Sequence, residues 1–348
     1  MTLDSSSNLG KPETSSAAGL WGQFPIRDDI QDSESANGYV LRMAVANFLN
    51  GIPAAKKMLG KTRFAVFDAS DADRVASWFG ADPVRLAVAF GTTGIGRNSE
   101  EMQFRGHDLS RSYFINRLHP RICIRCLEEN SRCHADWELS LVTACTHHGN
   151  TLVDKCPYCL GDLSWNRPAV NTCQCGNILV ELGEPDAPST LEREFSRWCA
   201  TKVCTPGSSI EMDLVACPSA DDLPLIRLVQ PLSLQGGLSL VYALGTADRC
   251  SQGDFTVTHR KKSSIGAAQE VLRRGSALLA QVQEGNAVDF KTSSLSVVMK
   301  LLAESAAASN QSADKSLAYS LVNKMLRYGG RSTWKSRYPQ LSQMDLFP

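Results

Sequence analysis

The sequence predicts a mainly α-helical protein, and two observations support that fold class. Apolar residues recur at helical spacing on both sides of a middle segment, and the carboxyl half shows no strand-like alternation of any length. The middle segment is instead rich in Cys, Trp and turn residues. A chain of 348 residues exceeds the ~100 to 200 typical of one domain. The expected parts are a disordered tail at 1–24, an N-terminal helix-turn-helix domain at 25–104, a tandem cysteine-knuckle module at 105–183 and a C-terminal all-helical domain with a basic end at 184–348.

The composition places the chain among intracellular proteins. It opens with the polar, Ser-rich stretch MTLDSSSNLGKPETSSAAG, which predicts disorder rather than a signal segment. No apolar run approaches the ~20 residues that a bilayer-spanning helix needs. We therefore expect a cytoplasmic protein whose cysteines are metal ligands or free thiols. With 36 basic and 36 acidic residues the net charge is zero, so no whole-protein field attracts nucleic acid.

Helical periodicity begins directly after the tail. The stretch GYVLRMAVANFLNGI spaces its apolar residues at helical intervals, which predicts a helix at about 39–50. Gly51 and Pro53 follow, and both residue types commonly end a helix. We therefore expect the first helix to stop there.

The segment SDADRVASWFGADPVRLAVAF predicts two helices with a turn between them. Ser70 is the expected cap of the first helix, Gly80 breaks it, and Asp82 with Pro83 begins the second. Such a pair is typical of a helix-turn-helix, although ordinary helical hairpins have the same pattern. The second helix offers only Arg85 as an obvious reader of bases or phosphates, so strong independent DNA recognition by this unit is not expected.

The glycine-rich stretch GTTGIGRN at 91–98 invites comparison with a phosphate-binding loop. That motif requires Lys followed by Ser or Thr, where Lys reaches the phosphates and the hydroxyl holds magnesium. Arg97 and Asn98 stand at those two positions here. We therefore interpret the stretch as a flexible linker and reject nucleotide hydrolysis.

Eight Cys and His residues of the middle segment fall into two sets with the spacing of four-ligand zinc sites. Each set begins with a C-x-x-C pair, which presents two thiolates to one tetrahedral ion, and a second pair supplies the other half. Two sets in succession predict a tandem zinc-ribbon or knuckle module that holds two zinc ions. The first set is Cys123, Cys126, Cys145 and His148, and the second is Cys156, Cys159, Cys173 and Cys175.

The predicted ions have a structural role rather than a catalytic one. Each set supplies four protein ligands, so no coordination position remains open for water. Metal binding contributes on the order of 10 kcal/mol of folding free energy, which lets a turn-rich segment fold without an apolar core of its own. Scattered buried cysteines and a redox-active C-x-x-C pair are the alternatives.

Several other side chains near the two sets are either additional candidate metal ligands or surface residues. His147 is out of phase with the x-x spacing, so we expect it at the surface or behind the ligands. The remaining spare candidates are Cys133 and His134. The acidic residues expected to be solvated turn residues are Glu128, Glu129, Asp136 and Glu138.

The carboxyl half predicts helices throughout. STLEREFSRWCATKV begins with Ser189 or Thr190 as a cap and places Leu191, Phe195 and Trp198 along one face. Four later segments favour helix as well, and most of them end in Gly or polar turns. They are LPLIRLVQPLSLQGGLSLVYALG, SIGAAQEVLRRGSALLAQVQE, SLSVVMKLLAESAAA and KSLAYSLVNKMLRYGG.

The end of the chain is its only strongly basic part. Residues 259–348 contain 13 basic and 6 acidic side chains. Basic residues that alternate with aromatic ones suit phosphate contact plus base stacking, although a solvated basic tail has the same composition. The candidate nucleic-acid contacts are Arg260, Lys261, Lys262, Arg327, Arg331, Trp334, Lys335 and Arg337.

Two stretches resemble a known family, the TniQ proteins, which are relatives of TnsD. FPIRDDIQDSESANGYVLRMAVANFLNG resembles their entry segment, and RICIRCLEENSRCHADWELSLVTACTHHGNTLVDKCPYCLGDL resembles their central signature. The resemblance covers roughly residues 24–176 and implies the same two ligand sets. Ile124 stands where the family usually has Pro, a change that keeps both thiolates. Trp137 matches the family tryptophan, which we interpret as packing between the knuckles.

The resemblance implies a non-enzymatic adaptor in DNA transposition. Such proteins help to select the target site and recruit an AAA+ ATPase of the TnsC or TniB kind, which engages the transposase. Some members read a DNA attachment site, and others act with an RNA-guided CRISPR effector of the Cascade type, in certain cases as a homodimer. The alternatives are a free-standing zinc-dependent, sequence-specific transcriptional regulator and a metalloenzyme, which would need an open coordination position.

Overall fold

The computed structural model describes residues 22–92, 101–180, 187–203, 223–246, 264–283 and 309–328, with residues 298, 301–303 and 306. Within these parts the chain is mainly helical, as predicted, and none of their helices combines the length and apolar composition needed to cross a membrane. The helices are α1 (Ala36–Ala46), α2 (Gly51–Met58), α3 (Ala72–Phe79), α4 (Pro83–Phe90), α5 (Ile124–Asn130), α6 (Thr190–Val203), α7 (Pro224–Val229), α8 (Leu234–Gly245), α9 (Ile265–Gln283) and α10 (Ser312–Tyr328).

The first helix begins earlier than predicted, and a second helix follows where a stop was expected. Ser35 caps α1, because its hydroxyl accepts a hydrogen bond from the backbone N–H of Gly38 at 3.2 Å. The chain turns at Phe48, whose φ is 59°, and α2 starts at Gly51. Pro53 lies in the first turn of α2, where the missing N–H has no cost. Gly51 and Pro53, which were expected to follow the end of a helix, therefore lie in the first turn of the next helix.

Helices α3 and α4 form the predicted pair. Gly80 ends α3 in the left-handed conformation with φ of 86°, Asp82 caps α4, and Pro83 is its first residue. The predicted cap at Ser70 is wrong. Asp68 instead caps a short 3-10 helix at 69–71 that leads into α3, and its carboxylate accepts from the backbone N–H of Ser70 at 2.9 Å.

Regular strands are confined to one small hairpin in the described chain. Strand β1 (Met102–Phe104) pairs antiparallel with β2 (His107–Leu109). The cysteine-rich segment adds only isolated antiparallel bridges, such as Ile122 with Val153 and Ala144 with Thr151. The bridge from Ile122 to Val153 brings the segment that holds Cys123 and Cys126 next to the segment that holds Cys145.

The carboxyl helices pack closely because small residues face large ones. Ser189 caps α6 as predicted: its hydroxyl accepts from the backbone N–H of Glu192 at 3.3 Å, and the Glu192 carboxylate accepts from the Ser189 backbone at 2.7 Å. Helix α8 is buried along its whole length. A Cβ on Gly237 would lie 2.1 Å from the ring of Trp198, so only glycine lets α6 and α8 approach this closely.

The buried apolar side chains form one continuous cluster from Ile30 to Val322. The cysteine-rich segment takes part in it, which corrects the expectation that it lacks apolar surface for a core. Two polar contacts tie this segment to the carboxyl helices. The hydroxyls of Ser140 and Tyr242 lie 2.9 Å apart, and the hydroxyl of Ser196 on α6 accepts from the backbone just before Cys145. The positions of the domain boundaries stay predictions.

Candidate metal centres

The fold gathers the eight predicted ligands into two groups of four. Within each group, the sulfur and ring nitrogen atoms that could bind a metal all lie within 4.8 Å of one another. This spacing is what four ligands around one tetrahedral ion require. The two groups are Cys123, Cys126, Cys145 and His148, called the first cluster, and Cys156, Cys159, Cys173 and Cys175, called the second cluster.

The first cluster presents three sulfurs and one ring nitrogen to a common centre. Nδ1 of His148 lies 3.5 Å from the sulfur of Cys123, 3.2 Å from that of Cys126 and 3.8 Å from that of Cys145. The sulfurs of Cys126 and Cys145 are 3.6 Å apart. All three cysteines are buried, so a metal here would be shielded from water.

The two halves of the first cluster have different backbones. Cys123 is the N-cap of α5 and Cys126 lies in its first turn, so this pair is helical rather than the knuckle expected from sequence. Cys145 begins a tight turn of the knuckle type. The N–H of Cys145 donates to the carbonyl of Asn150, and the N–H of Gly149 donates to the carbonyl of Cys145, both at 2.9 Å. Gly149 has a φ of 67°, which glycine adopts without strain.

Crowding within the first cluster raises the pKa of two thiols. The pKa of Cys145 is raised to about 12 and that of Cys126 further still, and the hydrogen bond with Cys123 is the largest cause in both. Hydrogen bonds from the other two thiols lower the pKa of Cys123. All three thiolates can therefore form together only beside a cation that neutralises them, and Zn²⁺ is well suited to this donor set.

His148 is oriented by a residue that sequence reasoning missed. Its Nε2 lies 2.8 Å from Oε1 of Glu129, on α5. Burial lowers the pKa of His148, but the hydrogen bond to Glu129 and the Cys123 thiolate raise it overall. A carboxylate on the outer nitrogen fixes the ring so that Nδ1 faces the sulfurs, as in many metal sites. The spacing of Glu129 three residues after Cys126 on a helix could have indicated this role.

The second cluster is closer to the surface. Cys156 and Cys173 are buried, whereas Cys159 and Cys175 are exposed. The sulfur pairs Cys156–Cys175 and Cys159–Cys173 are each 3.8 Å apart. The N–H of Leu160 donates to the carbonyl of Cys156 at 2.9 Å, which repeats the knuckle of the first cluster, with Leu160 at a φ of 56°.

The tight C-x-C pair of the second cluster is supported by its neighbours. Gly176 has a φ of 88°, which glycine adopts without strain, and this allows the tight turn after Cys175. The backbone of Asn177 lowers the pKa of Cys175 to about 6, and the side-chain amide of Asn177, which donates to the sulfur at 3.3 Å, adds to this effect. Burial raises the pKa of Cys173 to about 12. Asn177 is a second supporting residue that the sequence did not reveal.

The neighbouring acidic residues divide into two kinds. Glu128 and Glu129 are exposed, as expected. Asp136 and Glu138 are buried instead, because they lie in a short 3-10 helix that packs into the core. Burial raises the pKa of Asp136 to about 7 and also raises that of Glu138, whose carboxylate accepts a hydrogen bond from Ser35.

The spare candidates lie beside the first cluster rather than in it. The ring of His134 packs between two others, 4.8 Å from Trp137 and 4.5 Å from His147. Burial lowers the pKa of His134 to about 3, so this ring is neutral at physiological pH. Cys133 is buried, and its sulfur lies 3.7 Å from Nη2 of Arg167.

The candidate nucleic-acid contacts are not brought together by the described part of the chain. Arg327 lies at the end of α10, and nothing further is described of its side chain. Seven of the eight predicted contacts lie outside the described residues: Arg260, Lys261, Lys262, Arg331, Trp334, Lys335 and Arg337. The tail up to residue 21 and the stretch 93–98 of the predicted linker lie outside them as well.

Arg85, the one predicted reader on α4, is already engaged. Its guanidinium donates to Asp29 and to Asp32, both at 2.6 Å. The two carboxylates neutralise the side chain and hold it against the chain that precedes α1. The exposed face of α4 instead presents Val84 and Val88.

Comparison with known protein families gives a match over part of the chain. A model of the TniQ family matches residues 25–152, a stretch that includes α1 to α5 and all four ligands of the first cluster. No curated protein matches the chain.

Proposed function

We propose that the chain is a non-enzymatic adaptor in DNA transposition, because a model of the TniQ family matches residues 25–152. The family associates the chain with transposition and with DNA. In our proposal the chain helps to select the target site and recruits an AAA+ ATPase of the TnsC or TniB kind, which engages the transposase. The family match, which ends just beyond the first cluster, is the observation that carries the proposal.

The metal centres support a structural role within this function. Each cluster offers four ligand atoms, which is the full set for a tetrahedral ion and leaves no position for a reacting water. We propose that both ions are Zn²⁺. They would fix the turns that connect the N-terminal helices to the carboxyl helices and so keep the recruitment surface rigid.

The surface of α4 favours an adaptor over a free-standing transcriptional regulator. A helix that reads the major groove presents polar or basic side chains to base edges. The side chain of Arg85 is held by two carboxylates, and the exposed fractions of Val84 and Val88 are 71% and 49%. Two exposed valines one turn apart suit contact with a protein better than contact with DNA.

The route to the target is part of the same proposal. A reader of an attachment site needs a dense basic surface, and the chain concentrates its excess positive charge after residue 258. We propose modest DNA affinity for this basic end. Sequence selection would then fall to a partner, such as an RNA-guided Cascade-type effector, on which the chain acts as a homodimer.

Co-purification with the AAA+ ATPase of the same transposon tests the proposal. We expect the metal-loaded chain to retain the ATPase on a column, and Cys145→Ser to lose both ATPase binding and transposition. Full transposition by metal-free protein would contradict the adaptor role. Tight, sequence-selective DNA binding with a steep salt dependence would instead identify a transcriptional regulator, since each neutralised phosphate releases counterions.

A further inference from the structure

A cavity of about 260 Å³ lies beside the second cluster, where the N-terminal helices meet the chain around it, and none of the eight candidate ligands lines it. Three cationic side chains line it. Lys56 comes from α2, Arg63 from the segment that follows α2, and Arg117 from the segment before α5. Asp162 is the acidic residue in the wall, so the lining is positive overall.

Arg117 is the cation of this cavity that lacks a close partner. Its guanidinium forms no hydrogen bond with any residue that the structure describes, although the side chain is partly buried. Burial lowers the pKa of Arg117, and the carboxylates of Glu138 and Asp68 act on it only from beyond ion-pair distance. The guanidinium borders the cavity, so its five N–H donors can be reached by a ligand there. An anion in the cavity would supply the missing acceptor.

The wall opposite α2 is held in place before any ligand arrives. Lys56 Nζ donates to the carbonyl of Arg63 at 2.9 Å, and the side-chain amide of Asn166 donates to the same carbonyl at 3.3 Å. Gln174 in turn donates to the carbonyl of Asn166 at 3.3 Å. Because Gln174 stands between the last two ligands of the second cluster, a metal bound there would fix this wall.

An aromatic ring stands beside the cations. Phe64 lines the cavity and is 73% exposed, and the guanidinium carbon of Arg63 lies 5.1 Å from its ring centroid. Single-stranded nucleic acids are bound by this combination, in which cations hold the phosphate and an aromatic ring stacks on a base. The volume is near the lower end of the ~300 to 1,000 Å³ usual for ligand pockets, which suits one nucleotide unit.

We propose that this cavity binds one nucleotide of a single-stranded nucleic acid. The phosphate is held by Arg117 with Lys56 and Arg63, and an unstacked base lies on Phe64. A duplex does not satisfy the site, because its bases are already stacked and paired. Single-stranded DNA and RNA share this chemistry. The inference does not depend on recruitment of an ATPase.

Fluorescence anisotropy with the full, zinc-loaded chain tests the site. The probes are labelled ten-nucleotide strands, one of deoxythymidine and one of uridine, with a duplex of equal length for comparison. Arg117→Gln is expected to weaken strand binding roughly tenfold through loss of a charge-assisted contact, and Phe64→Ala by a similar factor through loss of stacking. Phe64→Ala leaves the core untouched, so it remains informative if Arg117→Gln folds poorly.

Matched controls come from the same chain. Arg74 and Phe48 are exposed and lie outside the cavity lining, so Arg74→Gln and Phe48→Ala should bind the strands as the parent does. Preference for one of the two strands identifies DNA or RNA as the ligand. Parent-like binding by both cavity variants would overturn the proposal. So would a duplex that binds as tightly as the strands, or equally effective competition by an acidic peptide.

Discussion

His148 and Glu129 are joined by a 2.8 Å hydrogen bond on the side of the imidazole that faces away from the three thiols. The bond fixes which ring nitrogen is turned toward the centre of the first cluster. An exposed carboxylate on the surface of α5 thus controls the geometry of a buried ligand set. This relationship leads to the first prediction.

Glu129→Gln should weaken zinc binding at the first cluster roughly tenfold, because loss of a carboxylate behind a histidine ligand typically costs 10- to 100-fold in affinity. Titration against a chromogenic chelator measures the effect. Glu128→Gln is the matched control, since Glu128 is exposed on the same helix. Equal affinities for the two variants would show that the hydrogen bond has no such role.

Cys145→Ser and Cys156→Ser should each remove one ion, because they belong to different clusters. Elemental analysis of the purified chain should give two equivalents of zinc for the parent and one for each variant. Cys199→Ala is the control, because Cys199 is buried outside both clusters. A parent with fewer than two equivalents would refute the assignment of two metal centres.

Asp136→Asn should alter the pH dependence of stability. The pKa of Asp136 is raised to about 7 in the folded chain. Between about pH 4 and pH 7 the folded chain therefore keeps a proton on Asp136, whereas the unfolded chain has released it. Stability from this group is therefore present at acidic pH and lost as pH rises through 7. Between pH 6 and 8 the parent should lose about 1 kcal/mol that the Asn variant retains.

Urea unfolding at the two pH values measures this difference with both proteins loaded with zinc. The metal ligands also change the free energy of unfolding with pH, but they do so equally in the parent and in Asp136→Asn. The difference between the two proteins therefore reports on Asp136 alone. Parallel stability changes in the two proteins would show that Asp136 titrates at an ordinary pKa.

Gly91→Ala should destabilise the chain far more than Gly60→Ala. Both glycines have positive φ, 63° and 72°, so both variants carry backbone strain of at least about 1 kcal/mol, and Gly91 with its ψ of −173° lies in a region that is essentially reserved for glycine. A Cβ on Gly91 would also lie 2.1 Å from the carbonyl oxygen of Gln103, whereas nothing lies within 4 Å of a Cβ on Gly60. Thermal unfolding should separate the two variants, and equal melting temperatures would contradict the close approach.

Local sequence signals predicted the candidate metal ligands and the caps of α4 and α6, because both depend on short, fixed spacings. Three pairs with x-x spacing and one C-x-C pair marked all eight candidate ligands, and Asp82 with Pro83 marked the start of α4. Signals that depend on the folded environment were missed. Glu138 looked like a solvated turn residue, yet the fold buries it beside Ser35, which lies 103 residues away.

The same distinction explains the misinterpreted helices. Gly and Pro are common both after the end of a helix and in the first turn of the next one. Gly51 and Pro53 lie in the first turn of α2, because the chain has already turned at Phe48. Arg85 looked available for DNA because its partners, Asp29 and Asp32, lie far from it along the chain. These ion pairs left no trace in the local sequence around Arg85.

The hydroxyl of Ser196 accepts hydrogen bonds from the backbone N–H groups of Thr143 and Ala144, directly before the ligand Cys145. The backbone that leads into the first cluster is thus held by a helix synthesised well after His148, the last candidate ligand of that cluster. A nascent chain still on the ribosome has all four donors of the first cluster before it has this helix. The hydrogen bonds that hold this backbone therefore form only once α6 has emerged and docked.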